Sequence, residues 1–176
     1  MSGVYGMAGP LRSLAADPNR RSHNLMEPTV RGQLLEDFDA IDRLLQRTRR
    51  IAVLGIKPET RAERPAHQIP LYLSNAGYEV LPVPVYYPDV DRILGKAVHR
   101  KVADVPGRVD VVDVFRKPED LEPHLPDLLA ARPRVVWLQS GIRHDAFAGK
   151  LLDAGIDVVQ DRCMRVEHRR WRSGRD

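Results

Sequence analysis

Three cations follow one glycine in "IAVLGIKPETRAERPAH", residues 51 to 67: Gly55 is succeeded by Lys57, Arg61 and Arg64. An apolar run ending in glycine permits a sharp turn or a close backbone approach. A helix starting just beyond would present unpaired N–H groups and the positive end of its dipole, which together attract a phosphate. The stretch therefore reads as an anion-binding turn. It is not a dinucleotide fingerprint, which requires G-x-G-x-x-G and an acidic residue about 20 positions later. Here the second and third glycines are missing. The second apolar run ends "LPVPVYYP", and Glu79 lies at its beginning.

Other reactive side chains form weaker patterns. Cys163, in "QDRCMRVEH", could act as a nucleophile with His168 as base, but a catalytic thiol needs that base within hydrogen-bond reach. A buried or structural cysteine is the expectation. The six histidines are scattered, with neither H-x-x-x-H nor cysteine pairs, so no metal site is expected. His67 and His144 fall near helix starts, where capping or a ligand-adjacent position competes with a plain surface role. Asp110 and Asp113 stand three apart on one strand and face opposite sides, which excludes a shared acid–base task. Trp137 reads as a core aromatic.

The elements that must position these residues alternate regularly. "QLLEDFDAIDRLLQRT", from Gln33 to Thr48, has Leu34, Leu35, Phe38, Ile41, Leu44 and Leu45 at helical spacing, with Thr29 or Gly32 as its start. Strands are predicted at Ile51–Gly55, Tyr78–Val83, Val109–Phe115, Arg134–Gln139 and in "IDVVQD". Helices are predicted over about Ala66–Ala76, closed by Gly77, over Leu121–Ala131, where prolines blur the start, and in "HDAFAGKLLDAG". Asp91–Leu94 and Val102–Val105 are predicted as single turns. This alternation implies βαβ units and a parallel sheet covered on both faces. The fold class is α/β: a Rossmann-like, doubly wound, five-stranded parallel sheet preceded by an amphipathic helix.

With 176 residues, 43% hydrophobic and 30% charged, the chain suits one domain with a full core. Residues 1–30 are expected to be a flexible extension, with Met26 as an alternative start, residues 31–170 the folded domain, and 171–176 a basic tail. Without an apolar run of about 18 residues or a signal-like N-terminus, no membrane association is expected. One cysteine fits a reducing, cytoplasmic setting. The net charge of +4 is dispersed, and the basic end "RVEHRRWRSGRD" reads as a solvated terminus rather than a nucleic-acid site.

"IAVLGIKPETRAERPAHQIPLYLSNAGYEVLPV", "VDVVDVFRKPED" and "VVWLQSGIRHDAFAGKLLDAGIDVVQDRCMRVEH" resemble the small bacterial CoA-binding proteins of Rossmann-like fold. Those in turn resemble the nucleotide-binding domain of the succinyl-CoA synthetase alpha subunit. The resemblance covers about residues 34–170 and implies coenzyme A as ligand. It implies that Gly55, Ile56 and Lys57, with Glu63, Arg64 and Pro65, cradle its phosphates. Pro82 and Val83 match the end of the family's second strand, while Pro84 and Val85 replace an Asn-Pro. Phe115, Arg116 and Pro118 match the loop after the third strand. Gln139, Ser140, Gly141 and Ile142 match the loop after the fourth.

The physics runs parallel to the resemblance. An open α/β sheet binds ligands at the carboxyl ends of its strands, and the phosphates of CoA call for cations, which Lys57, Arg61, Arg64, Arg116 and Arg143 could supply. The leading expectation is a non-catalytic module that binds CoA or an acyl-CoA as carrier, sensor or regulator. An NAD(P)-binding oxidoreductase and a ligand-free interaction subunit are the alternatives, and a homodimer or a protein partner is left open. A synthetase of the resembling family also needs a phosphohistidine domain and an ATP-grasp partner, for which this length has no room.

Overall fold

Apolar runs with no polar alternation must be covered on both faces, and the computed structural model shows how this chain does so. It describes residues 30–175. The expected extension, with Met26 and Thr29, lies outside the described residues but for Val30. In chain order the elements are α1 (Phe38–Arg47), β1 (Arg50–Leu54), α2 (Pro65–Asn75), β2 (Glu79–Val83), β3 (Arg92–Ile93) and β4 (Lys96–Ala97). They continue with β5 (Val111–Val114), α3 (Leu125–Ala131), β6 (Val135–Leu138), α4 (Asp145–Asp153), β7 (Asp157–Val159) and α5 (Met164–Ser173).

Five strands form one parallel sheet in the order β2-β1-β5-β6-β7. The chain lays β2 on one side of β1 and β5 on the other, so the winding direction reverses beside β1. Side chains alternate between two apolar layers. Ala52, Leu54, Val112, Val114, Val136 and Leu138 pack with Leu128 of α3 and Phe147 and Leu151 of α4. Ile51, Val53, Val111, Val135 and Trp137 pack with Ile41 and Leu45 of α1, Ile69 and Leu73 of α2, and Met164 of α5. The sheet is thus doubly wound, as expected.

The first helix is shorter than its periodicity predicts. Asp37, not Thr29 or Gly32, caps it by accepting the Ala40 N–H at 2.7 Å. Residues 32–35 instead run beside β7. Leu35 N–H donates to the Val158 carbonyl, Val158 N–H to that of Gln33, both within 3.0 Å, and Leu34 bridges Val158 in parallel. The open edge of β7 thereby acquires a backbone partner. A side chain on Gly32 would collide with the Ile156 backbone, so this glycine permits close approach rather than helix initiation.

Three other expectations change. Asp91–Leu94 contributes to the antiparallel pair β3–β4 rather than a helical turn, with Leu94 and Gly95 at positive φ as hairpin corners. The proline-rich start of α3 resolves into two 3₁₀ turns, Pro118–Asp120 and Glu122–His124, because each proline removes an N–H that an α-helix would use. The basic C-terminal run is helix α5, docked against α1 and α2. Its buried Glu167 accepts from Arg162 at 2.9 Å and from Arg170 at 3.0 Å, and Arg170 also pairs with Asp42 of α1. The Phe38 ring lies 4.3 Å from the Arg170 guanidinium carbon and 5.3 Å from that of Arg162. Periodicity in a run dominated by arginine is hard to read because the groups it buries are paired charges.

Since α1 covers the layer that holds α5, truncating Ile41, which is fully buried, should destabilise the domain rather than release a peripheral arm. Ile41→Ala is expected to cost about 2–5 kcal/mol, read from the midpoint of denaturant unfolding. A loss confined to a few tenths would make α1 an appendage.

Candidate functional site

The loops leaving β1, β5 and β6 surround a cleft of about 890 Å³ at the carboxyl edge of the sheet, where the winding reverses. Open α/β sheets bind ligands at such a switch point, and this volume lies within the range of small-molecule sites.

Lys57 is placed by α2. Pro70 inside that helix has no N–H, so the Ala66 carbonyl four residues earlier lacks its helical donor. The Lys57 N–H fills the position at 3.1 Å. On its other side the Lys57 carbonyl accepts from Nδ1 of the buried His67 at 2.9 Å. Since a carbonyl can only accept, Nδ1 carries the proton. His67, expected as a surface or capping residue, is the internal brace of this loop. The first turn of α2 lines the cleft through Arg64, Pro65, Ala66 and Ile69. It contains no acidic residue, and Arg64 at its N-cap makes no side-chain capping bond, so the positive pole of the helix is uncompensated by its own side chains.

Gly55 holds two loops together instead of facing the cleft. Its φ is +89°, and a Cβ there would lie 2.5 Å from the Phe115 carbonyl oxygen. Ile56 belongs to the core, and Val83 is fully buried with its carbonyl receiving the Gly55 N–H at 2.9 Å. Pro82 lies in β2, and its carbonyl accepts from His99. These four expected contacts support the cleft from behind. Lys57, Arg64, Pro65, Phe115, Arg116, Pro118, Gln139, Gly141 and Ile142 do line it.

Six cations border the cleft: Lys57, Arg61, Arg64, Arg116, Lys117 and Arg165, with no carboxylate among the lining residues. Arg64, Arg116 and Lys117 pair with Glu63, Asp120 and Glu119 respectively. Arg116 is the most enclosed of these paired cations, and its buried Nε has no hydrogen-bond partner among the described residues. Arg143, expected to join this field, instead pairs with Asp145 at 3.1 Å and lines a different hollow with Glu36 and Asp161. Sequence reasoning gave no place to Lys117, Arg165 or Tyr87, all of which line the cleft.

At the inner end, Gln139 is 4% exposed and bridges two elements. Its Nε2 donates to Asp113 Oδ1 at 2.7 Å, and its Oε1 accepts from the Met164 N–H, at the start of α5, at 3.3 Å. Asp113 sits in the sheet between Val53 and Trp137, and its Oδ2 has no hydrogen-bond partner among the described residues. Burial pushes its carboxyl up to about 7, while the bond from Gln139 pulls the other way. Gly141 N–H is taken by Asp161 Oδ1 at 2.6 Å, which ties the loop after β6 to the loop after β7.

Cys163 lines the cleft, but the base proposed for it serves elsewhere. His168 Nδ1 is 2.9 Å from the Tyr72 hydroxyl, its ring packs edge-on against Tyr72 and Tyr78, and burial lowers its pKa. His144 caps α4 by accepting the Phe147 N–H, and Trp137 is a core aromatic whose Nε1 donates to the Arg162 carbonyl at 2.7 Å. Asp110 opens β5 by accepting the N–H groups of Arg49 and Arg50, both at 2.9 Å, at the opposite edge of the sheet. Glu79 likewise begins β2 and pairs with Arg50, far from any ribose position. Among the described residues no group of three or more His, Cys, Asp or Glu is arranged for a metal, and no helix is long and apolar enough to cross a membrane.

Comparison with known proteins gives a consistent result. A family model described as CoA binding domain matches residues 49–169. The Bacillus subtilis "Uncharacterized protein YneT" is 33% identical over 128 residues, covering 73% of this chain and 91% of its own. Among solved structures, a Thermus thermophilus protein, "cell-free ID.343", is 43% identical with a TM-score of 0.71, covering 77% of this chain and 99% of that one. A hypothetical protein from Pyrococcus horikoshii is 30% identical with a TM-score of 0.69, covering 77% and 92%.

Two outcomes test this geometry. Gly55→Ala and Gly77→Ala both force a side chain into positive φ, but only Gly55 meets a neighbour, because the space around Gly77 is open. The left-handed backbone should cost each variant about 1–2 kcal/mol, and thermal unfolding should show a larger loss for Gly55→Ala. Asp113→Asn should alter the pH profile of stability. Between 3.8 and about 7 the folded chain keeps a proton that the unfolded chain has lost, so wild-type stability falls as pH rises through that window and levels off above it. Denaturant unfolding across pH should show that slope reduced in Asp113→Asn; parallel profiles would place the Asp113 pKa in the ordinary range.

Proposed function

The chain belongs to the CoA binding domain family, and on that premise we propose that it binds coenzyme A or an acyl-CoA in the cleft at the carboxyl edge of β1, β5 and β6. The observation that carries the reading is the charge of the cleft wall: six cations, no carboxylate, and the first turn of α2 without an acidic residue. A pyrophosphate and a 3′-phosphate match such a wall through charge-assisted hydrogen bonds. Lys57 and Arg116 are the foremost phosphate ligands in this reading, since His67 and Ala66 brace the first and burial encloses the second. The less charged end, with Ile142, Gln139 and Cys163, suits the pantetheine arm.

The role proposed is that of a carrier, sensor or regulatory module rather than a catalyst. His168 is engaged by Tyr72, and Cys163 and His168 line different hollows. CoA at 100 times its Kd should add about 2.7 kcal/mol of stability, a shift of several degrees in Tm. Dephospho-CoA should shift it less at equal concentration. A response to NAD alone would transfer the reading to an NAD(P)-binding oxidoreductase, and no response to any of them to a ligand-free interaction subunit. Arg116→Ala should weaken CoA binding by about 10- to 100-fold, the value of a hydrogen bond to a charged group, measured by calorimetric titration; unchanged affinity would remove Arg116 from the phosphate site.

A further inference from the structure

The loop after β2 carries two adjacent tyrosines that neither the core nor the cation wall requires. Tyr87 lines the cleft, and Tyr86 is 54% exposed beside it. Lys57 Nζ lies 5.0 Å from the Tyr86 ring centroid and 5.2 Å from that of Tyr87. Arg116 lies 5.1 Å from the Tyr86 centroid and donates to its hydroxyl at 3.4 Å. The two enclosed cations of the site thus rest against these rings.

The backbone here is held against its preference. Tyr87 has φ +69°, a conformation that bulky side chains rarely adopt. Arg100 maintains it by donating to the carbonyls of Tyr87 at 3.2 Å and of Pro88 and Val90, each at 2.8 Å. A clamp of one guanidinium on three carbonyls keeps an aromatic ring at the mouth of the cleft. Strain that the surrounding structure maintains points toward a use for the side chain it presents.

We infer that Tyr86 and Tyr87 form an aromatic seat for the purine of a nucleotide whose phosphates are taken by Lys57 and Arg116. The inference rests on the proposed function for the identity of the rest of the ligand. A phosphate holds a cation more strongly than an exposed aromatic face does. When phosphates draw Lys57 and Arg116 away, the ring faces become available to a base, which stacks on them. Phosphate capture and base stacking are then linked, and the site favours ligands that carry both. The pair follows Pro84 and Val85, which stand where the resembling family ends its strand with Asn-Pro.

Calorimetric titration of wild type, Tyr86→Ala, Tyr87→Asn and Tyr86→Phe with CoA, adenosine 3′,5′-bisphosphate and 4′-phosphopantetheine tests the inference. Tyr86→Ala and Tyr87→Asn should each weaken CoA and the bisphosphate by about 5- to 100-fold, the range of one base–aromatic stack. Affinity for 4′-phosphopantetheine, which has no base, should be unaffected. Tyr86→Phe keeps the ring and should restore binding. If wild type binds CoA and the tyrosine variants lose nothing, or lose equally for 4′-phosphopantetheine, the seat is overturned while the CoA reading stands. If wild type binds the bisphosphate but not CoA and the variants weaken it, the seat stands and the CoA reading falls. Binding of neither overturns both.

Discussion

The Phe115 carbonyl oxygen occupies the space beside Gly55 where any other residue would carry its Cβ. This approach lets the loops from β1 and β5 leave the sheet in contact at the point where the winding reverses. The ladder continues into both loops, with Gly55 N–H on the Val83 carbonyl and Phe115 N–H on that of Leu54, each at 2.9 Å. Arg116 follows immediately and comes to lie near Lys57 and the tyrosines. The close approach of the two loops therefore depends on one residue without a side chain, and Lys57 and Arg116 come near each other because the strands they follow are neighbours.

A wall of like charges is costly to assemble, and the fold distributes that cost. Part is screened by carboxylates outside the cleft lining, as with Asp120 on Arg116. Part is met by fixing the backbone rather than the side chain: Lys57 is held at its N–H and carbonyl by the first turn of α2, while its ammonium remains near the aromatic rings. Pro70, which weakens α2 by one hydrogen bond, supplies the free carbonyl that makes this attachment. Asp113 stands apart as a carboxyl taken fully into the sheet, where Gln139 donates to it. The same Gln139 fixes the start of α5, so the inner end of the cleft and the last helix share a polar link.

Local signals pointed to most of the residues that line the cleft, and misread what depended on contacts between segments distant in sequence. The turn after β1 was legible because a strand, a glycine, cations and a helix start occur in succession. The packing of Gly55 was not, since its neighbour Phe115 follows another strand, and a φ-positive glycine looks alike whether it faces a ligand or a carbonyl. Arg143 shares a loop with four cleft residues, yet pairs with Asp145 and lines another hollow. His67 carried no readable signal, because its partner is a backbone carbonyl ten residues earlier. The "YYP" after β2 carries no periodic signal, and only proximity to Lys57 and Arg116 gives the tyrosines a chemical context.

By itself the sequence determined the alternation of strands and helices, the parallel sheet and its carboxyl-edge loops, since period and turn chemistry are local and five apolar runs can be buried only between two helical layers. It also placed most of the cations that line the cleft in the loops after the strands. Tertiary structure decided which of those cations meet and where α1 begins. It also showed that much of the arginine-rich run belongs to helix α5, docked through Met164, Glu167 and His168, while Arg172 and Arg175 stay exposed. Those outcomes rest on pairings such as Arg170 with Asp42, 128 residues apart, whose energies depend on distance and burial, and neither quantity is written in the order of residues.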